Sequence, residues 1–255
     1  MIAPACPQND SAPRHHSRLS GAVLVGGASR RMGRPKAQLL HQGRSFLEQI
    51  LVTLRPFVER LVVVGGASAQ VALRGVSPET RANVGWLPDV VDQAGPLAGV
   101  VAALQHDHEC DWLCIACDMP SIEPGALRWL IDQYRRVDAD VVAARMEETT
   151  APEPFPAIYA RTALTSLRNV LLSQPRGLRR AMRELNCFAQ LPPVIFTNSW
   201  SNINTPHDYS ALHKAMQCHT GERDECQAHR KYSNSVPDSS DNPVNRRTKQ
   251  RSARH

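Results

Sequence analysis

Apolar residues gather along the chain in short, nearly unbroken runs, separated by stretches where they recur every three or four positions. Runs at 21–25, 60–64, 83–87, 111–116 and 140–144 have the length and β-branched content of buried strands. The segments 45–55, 97–106 and 124–136 carry helical spacing. Strand and helix in alternation predict an α/β fold, Rossmann-like, with a mostly parallel sheet and helices on both faces. Open sheets of this kind bind ligands in the crevice beyond the carboxyl ends of their strands, so the loops after each run are where chemistry is sought.

No internal repeat or composition break divides the middle of the chain, and a single domain is predicted over 20–217. Residues 1–19 read as a disordered leader. Residues 218–255, rich in Ser, Asn, Asp, Arg and Lys with almost no large apolar residue, read as a disordered basic tail. The formal charge of +6 in 255 residues lies mostly in those ends. The span 21–218 is nearly balanced, so the charge supports no specific nucleic-acid partner. No apolar stretch approaches the roughly 20 residues of a membrane helix, and the first residues lack the apolar region of a secretory signal, so a cytoplasmic location is expected. Seven cysteines, an odd number without a framework, suit reduced thiols. Cys114 and Cys117 have metal-ligand spacing, but residues three apart on a strand point to opposite faces.

The loop after the first run reads Gly26-Gly27-Ala28-Ser29-Arg30-Arg31-Met32-Gly33-Arg34-Pro35-Lys36. Its glycines allow close backbone approach, its amides can cradle an anion, and Arg31 and Lys36 supply positive charge; together these suit a triphosphate. It is no P-loop, because Lys36 is followed by Ala37 rather than by a hydroxyl residue. It is no dinucleotide fingerprint either, because its first glycines are adjacent and Pro35 disfavours helix at the residue before it.

Other strand ends add candidates. Asp89 precedes Gly95-Pro96-Leu97-Ala98-Gly99 and a helix starting near Leu97. Asp118, between an apolar strand and Met119-Pro120, is placed either to hold Mg²⁺ against phosphate oxygens or to form an Asx-turn or helix cap. In Asn202-Ile203-Asn204 two amides share one face of an extended segment, and Thr205-Pro206-His207-Asp208 reads as the start of a last helix. These amides could contact ligand or tie the chain to that cap. His106 and His108 read as surface residues at a helix end.

The pattern Leu24-Val25-Gly26-Gly27-x-Ser29-x-Arg31-Met32-Gly33-x-x-Lys36 resembles the signature of nucleotidyltransferases related to molybdenum cofactor guanylyltransferase. Asp89 with Gly95–Gly99, Cys117-Asp118-Met119-Pro120 and Asn202-Ile203-Asn204-Thr205-Pro206 carry the same resemblance in order, across about 20–217. The resemblance implies the nucleotide-diphospho-sugar transferase type of fold. It implies transfer of GMP from GTP to molybdenum-molybdopterin with Mg²⁺ and release of pyrophosphate, and transient contact with cofactor-insertion proteins. On that basis Leu24, Val25, Gly26, Gly27, Lys36, Asp89 and Asp118 bind nucleotide; Arg31, Lys36 and Asp118 are catalytic; Asp118 holds the metal; and Asn202 and Asn204 lie on the acceptor side. Residues Glu153–Tyr159 resemble the strand that flanks the acceptor.

Two positions depart from the family pattern. Val25 replaces the usual alanine, and Gly65 stands where some guanylyltransferases have an asparagine that contacts the nucleotide. A CTP-using enzyme or another small-molecule nucleotidyltransferase of the same fold is therefore the alternative, although the short interval from Gly33 to Lys36 disfavours the sugar enzymes. A nucleotide-binding module without turnover is a rival of another class, against which the retention of Asp118 together with Lys36 argues.

Overall fold

The computed structural model describes residues 18–26, 35–90, 95–148 and 150–213. The chain divides into a compact unit, Met1–Tyr209, and a second unit, Ser210–His255, of which 210–213 are described and helical. Among the described residues no helix is long and apolar enough to cross a membrane.

The first unit is built on β1 (Leu19–Leu24), a two-residue hairpin β2 (Leu40–His41) and β3 (Arg44–Ser45), α1 (Phe46–Leu54), β4 (Leu61–Val64), α2 (Ala67–Arg74) and α3 (Pro78–Arg81). There follow β5 (Val84–Leu87), α4 (Pro96–His106), β6 (Asp111–Ala116), α5 (Pro124–Tyr134) and β7 (Val141–Ala144). The unit continues through β8 (Ala157–Tyr159), α6 (Leu164–Leu172), α7 (Leu178–Arg183) and β9 (Cys187–Gln190). Seven strands form one sheet in the order β5-β4-β1-β6-β8-β7-β9. The pairs β5/β4, β4/β1, β1/β6 and β7/β9 are parallel, whereas β8 runs antiparallel between β6 and β7. The five strands expected from the apolar runs are β1, β4, β5, β6 and β7, with β1 starting two residues earlier, at Leu19.

Strand periodicity divides the helices between the two faces. A Cβ added at Gly21 would fall 3.0 Å from Leu54 of α1, whereas Leu24 packs on Gly99 of α4. Residues three apart on a strand point oppositely, so α1 and α4 cover opposite faces. Helix α5 packs against α1, and α6 against α4. Between them Trp112, Leu113, Ile115 and Tyr159 are wholly buried, and each large apolar side chain so placed contributes about 1.5–3 kcal/mol.

The buried carboxylate of Asp111 is satisfied. Asp111 accepts a hydrogen bond from the Tyr134 hydroxyl and a second, at 2.6 Å, from the Arg161 N–H. Both donors lie at the end of the sheet opposite the strand carboxyl ends, so Asp111 fixes β6 to α5 and to the turn after β8 without facing the crevice.

Candidate active site

The carboxyl ends of the parallel strands enclose a cavity of about 680 Å³. Leu24, Val25 and Gly26 from the end of β1 line it, with Asp89 after β5, Asp118 after β6 and Asn202 from the segment before residue 206. A cavity of this size accommodates a nucleotide. Hydrogen bonds between neighbouring strand ends fix these loops: Val25 N–H donates to Val64 O at 2.8 Å, and Cys117 N–H to Leu24 O at 3.0 Å.

Gly65 stands at the mouth of β4 with φ +149°, and a Cβ there would lie 2.1 Å from Val25 O. No side chain fits at that separation, so the backbone itself excludes an asparagine at this position. The Gly65 carbonyl accepts the indole N–H of Trp86 at 3.0 Å, which holds β5 against β4. Val25 is buried against the same wall.

Helix α4 enters the cavity floor by way of Gly95, whose φ of +64° turns the chain ahead of Pro96. Gly99, one turn along, comes so close to Leu24 that a Cβ would sit 2.8 Å from Leu24 Cδ2 and 3.6 Å from Asp89 Oδ1. The missing side chain lets α4 lie against β1 and brings Asp89 to the cavity edge.

Lys36 opens a short 3₁₀ turn, Lys36–Gln38, behind Pro35. Its ammonium donates to Asp118 Oδ2 at 2.9 Å and to Asn204 Oδ1 at 2.6 Å. Lys36 and Asp118 are 15% and 20% exposed, which leaves the pair shielded but reachable. Three residues far apart in sequence thus converge on one point. Asn204 is held there from two sides: Ile203 N–H donates to Asp118 O at 2.8 Å, and Asp208 accepts the N–H groups of Asn204 and Thr205, both at 2.9 Å. Thr205 Oγ1 accepts in return from Asp208 N–H at 3.2 Å, completing a capping box. The two backbone N–H donors hold the Asp208 carboxyl below its ordinary value, with Thr205 adding to the effect. Asn202 lines the cavity and Ile203 between the amides is buried, as expected of alternating directions on an extended segment.

Glu153, from the segment likened to the acceptor-flanking strand, and Arg179, to which sequence reasoning assigned no role, also line the cavity. Glu153 and Arg179 form an ion pair at 2.7 Å, with Arg179 also donating to Pro152 O at 3.2 Å. Phe155 is buried beside them. They lie past Asp118, toward β8, at the end of the cavity opposite Val64 and Gly66. No motif marks Arg179; the basic run Arg179-Arg180 on a short helix was its only signal. Gly27 and Arg31 lie outside the described residues.

Cys114 and Cys117 are buried free thiols. Burial pushes the Cys117 thiol up to about 12, and the adjacent Asp118 carboxylate acts in the same direction. Burial of this kind disfavours the thiolate that a sulfur nucleophile or metal ligand requires. His106 is exposed at the end of α4, against Trp112.

Comparison with known proteins agrees with this arrangement. The family described as MobA-like NTP transferase domain matches residues 21–190. A probable molybdenum cofactor guanylyltransferase from Rhodopirellula baltica is 32% identical over 198 residues, covering 74% of this chain and 89% of that protein. A molybdenum cofactor biosynthesis bifunctional protein from Synechocystis is 32% identical over 199 residues, covering 76% of this chain. The match spans about half of that relative, 53% of its length. Among solved structures, molybdopterin-guanine dinucleotide biosynthesis protein A from Archaeoglobus fulgidus superposes with a TM-score of 0.65 at 27% identity, covering 78% of this chain and 98% of that one.

Proposed function

The chain belongs to the MobA-like NTP transferase family and is a nucleotidyltransferase; from that premise we propose that it transfers GMP from GTP to molybdenum-molybdopterin, releasing pyrophosphate, in the cytoplasm. The names of its relatives support the choice of nucleotide and acceptor. The observation that carries the reading is the meeting of Lys36, Asp118 and Asn204 beside a nucleotide-sized cavity. Transfer at the α-phosphorus needs negative charge neutralised and two oxygens aligned, with little covalent help from the protein. Lys36 supplies a mobile point charge, Leu24, Val25, Gly26 and Asp89 wall the nucleotide, and we assign Gly27 and Arg31 to the phosphates.

The donor set at Asp118 fits a hard divalent cation. Carboxylate and amide oxygens from Asp118 and Asn204 already converge on one positive group, and magnesium takes one or two carboxylates together with substrate phosphates and water. Mg²⁺ bound there would neutralise charge on the phosphates. Asp118 and Asn204 are the residues to hold it.

We assign to the acceptor the end of the cavity lined by Asn202, Glu153, Phe155 and Arg179, with Asn204 beside it. A terminal phosphate is already anionic near neutral pH and attacks without a dedicated base. We place this catalytic unit within 20–217, and a transient contact with cofactor-insertion proteins would pass the product on. Incubating the protein with Mg²⁺, molybdenum-molybdopterin and each of the four triphosphates tests the assignment. GTP is expected to give the dinucleotide; formation with CTP alone would transfer the assignment to the cytidine form, and no product with any triphosphate would reject it.

A further inference from the structure

Lys36 and a metal ion have claims on the same oxygen. The ammonium is bonded to Asp118 Oδ2 at 2.9 Å and to Asn204 Oδ1 at 2.6 Å, and these are the two oxygens that a cation at Asp118 would use. The arrangement is built rather than accidental. Pro35 and the turn Lys36–Gln38 set the lysine stem, and the Ile203 to Asp118 and Asp208 to Asn204 bonds fix both acceptors from behind. Lys36 and Asp118 are also largely shielded, at 15% and 20% exposure, so the attraction is less screened than at an open surface.

We propose that Lys36 is the resting occupant of the cation position, a positioning residue that must leave Asp118 before a divalent ion can bind. The inference rests on the reading of Asp118 as the metal residue. One ammonium charge then neutralises Asp118. The incoming anionic phosphates offer Lys36 an alternative partner. Releasing Lys36 frees Asp118 for the metal, so nucleotide and metal favour each other's binding. The affinity of Asp118 for a divalent ion in the absence of nucleotide is reduced by the fraction of time the lysine is away. If Lys36 is seated about nine-tenths of the time, the reduction is about tenfold.

Mn²⁺ is a suitable probe, because its free form is counted by electron paramagnetic resonance. The ion is titrated without nucleotide or acceptor into the wild-type chain, Lys36→Met, Lys36→Gln and the double variant Lys36→Met/Asp118→Asn, each checked for folding by circular dichroism. Removing the lysine charge is expected to tighten Mn²⁺ binding about tenfold in both single variants, with the gain absent from the double variant. Single variants that bind Mn²⁺ no better than wild type overturn the proposal, as does a gain that survives Asp118→Asn. Because no triphosphate is present, that result is separate from the failure of the transfer reading, which shows as the absence of dinucleotide product.

Discussion

Ile203 donates its backbone N–H to the carbonyl of Asp118 at 2.8 Å, so the segment bearing Asn202 and Asn204 is stitched to the loop bearing the carboxylate. This bond joins the two halves of the site. Without it, the amides of a late segment would be less firmly set against the end of β6, and the Asn204 oxygen less firmly set against the Lys36 ammonium.

Removing the second partner tests that relation. Asn204 is exposed, and Asn204→Ala leaves the Asp118 to Lys36 bond in place. Stability is expected to change by less than about 0.5 kcal/mol, as for most surface substitutions. Losing an oxygen assigned to the metal should still lower kcat by roughly 10². Steady-state kinetics beside a urea titration separate the two effects.

Gly65 offers a test of backbone strain. Introducing the asparagine of the family pattern, by Gly65→Asn, forces a Cβ into a separation of 2.1 Å from Val25 O at φ +149°. The substitution is expected to destabilise the fold by about 3 kcal/mol and to spoil nucleotide binding by moving Val25. Thermal unfolding with and without GTP measures both. An unchanged midpoint would show that the β4 end relaxes more easily than its geometry implies.

Asp208 gives the site a dependence on acid. Its carboxyl is held below the ordinary value of 3.8 by the Asn204 and Thr205 N–H groups. A depressed carboxyl contributes stability that is fully present above the unfolded value and lost as pH falls through the folded one. Amide exchange at Asn204 and Thr205 is therefore expected to stay slow down to about pH 4 and to quicken below it. Asp208→Ala should show fast exchange at these amides throughout, with no acid step.

The fold was legible where burial is strongest. The runs that became β1, β4, β6 and β7 were readable because a strand covered on both faces reads as continuous apolar sequence, while β5, a partly exposed edge strand, was read from its short apolar run alone. β8 and β9 were harder to read: β8 is a three-residue antiparallel insertion behind several prolines, and β9, at the sheet edge, is only partly buried. The hairpin of β2 and β3 turns at Gln42 and Gly43, with φ of 53° and 77°, a turn signal too short to stand out between a loop and a helix. At the site, Lys36, Asp89 and Asp118 were readable as motifs following strand ends, and Asn202 and Asn204 as paired amides on an extended segment ahead of the last helix. The direct bond from Lys36 to Asn204 was not, since nothing in sequence spacing says which late segment folds back over which early turn. Glu153 and Arg179 meet only through the tertiary path of β8 and α7.

The most direct measurement compares pyrophosphate release by the wild-type chain and by Asp118→Ala, with GTP, Mg²⁺ and molybdenum-molybdopterin present and circular dichroism confirming that both are folded. The account predicts steady release by the wild type and a fall on the order of 10³-fold or more in the variant. A folded Asp118→Ala protein that keeps most of the wild-type rate would contradict the central role given to this carboxylate.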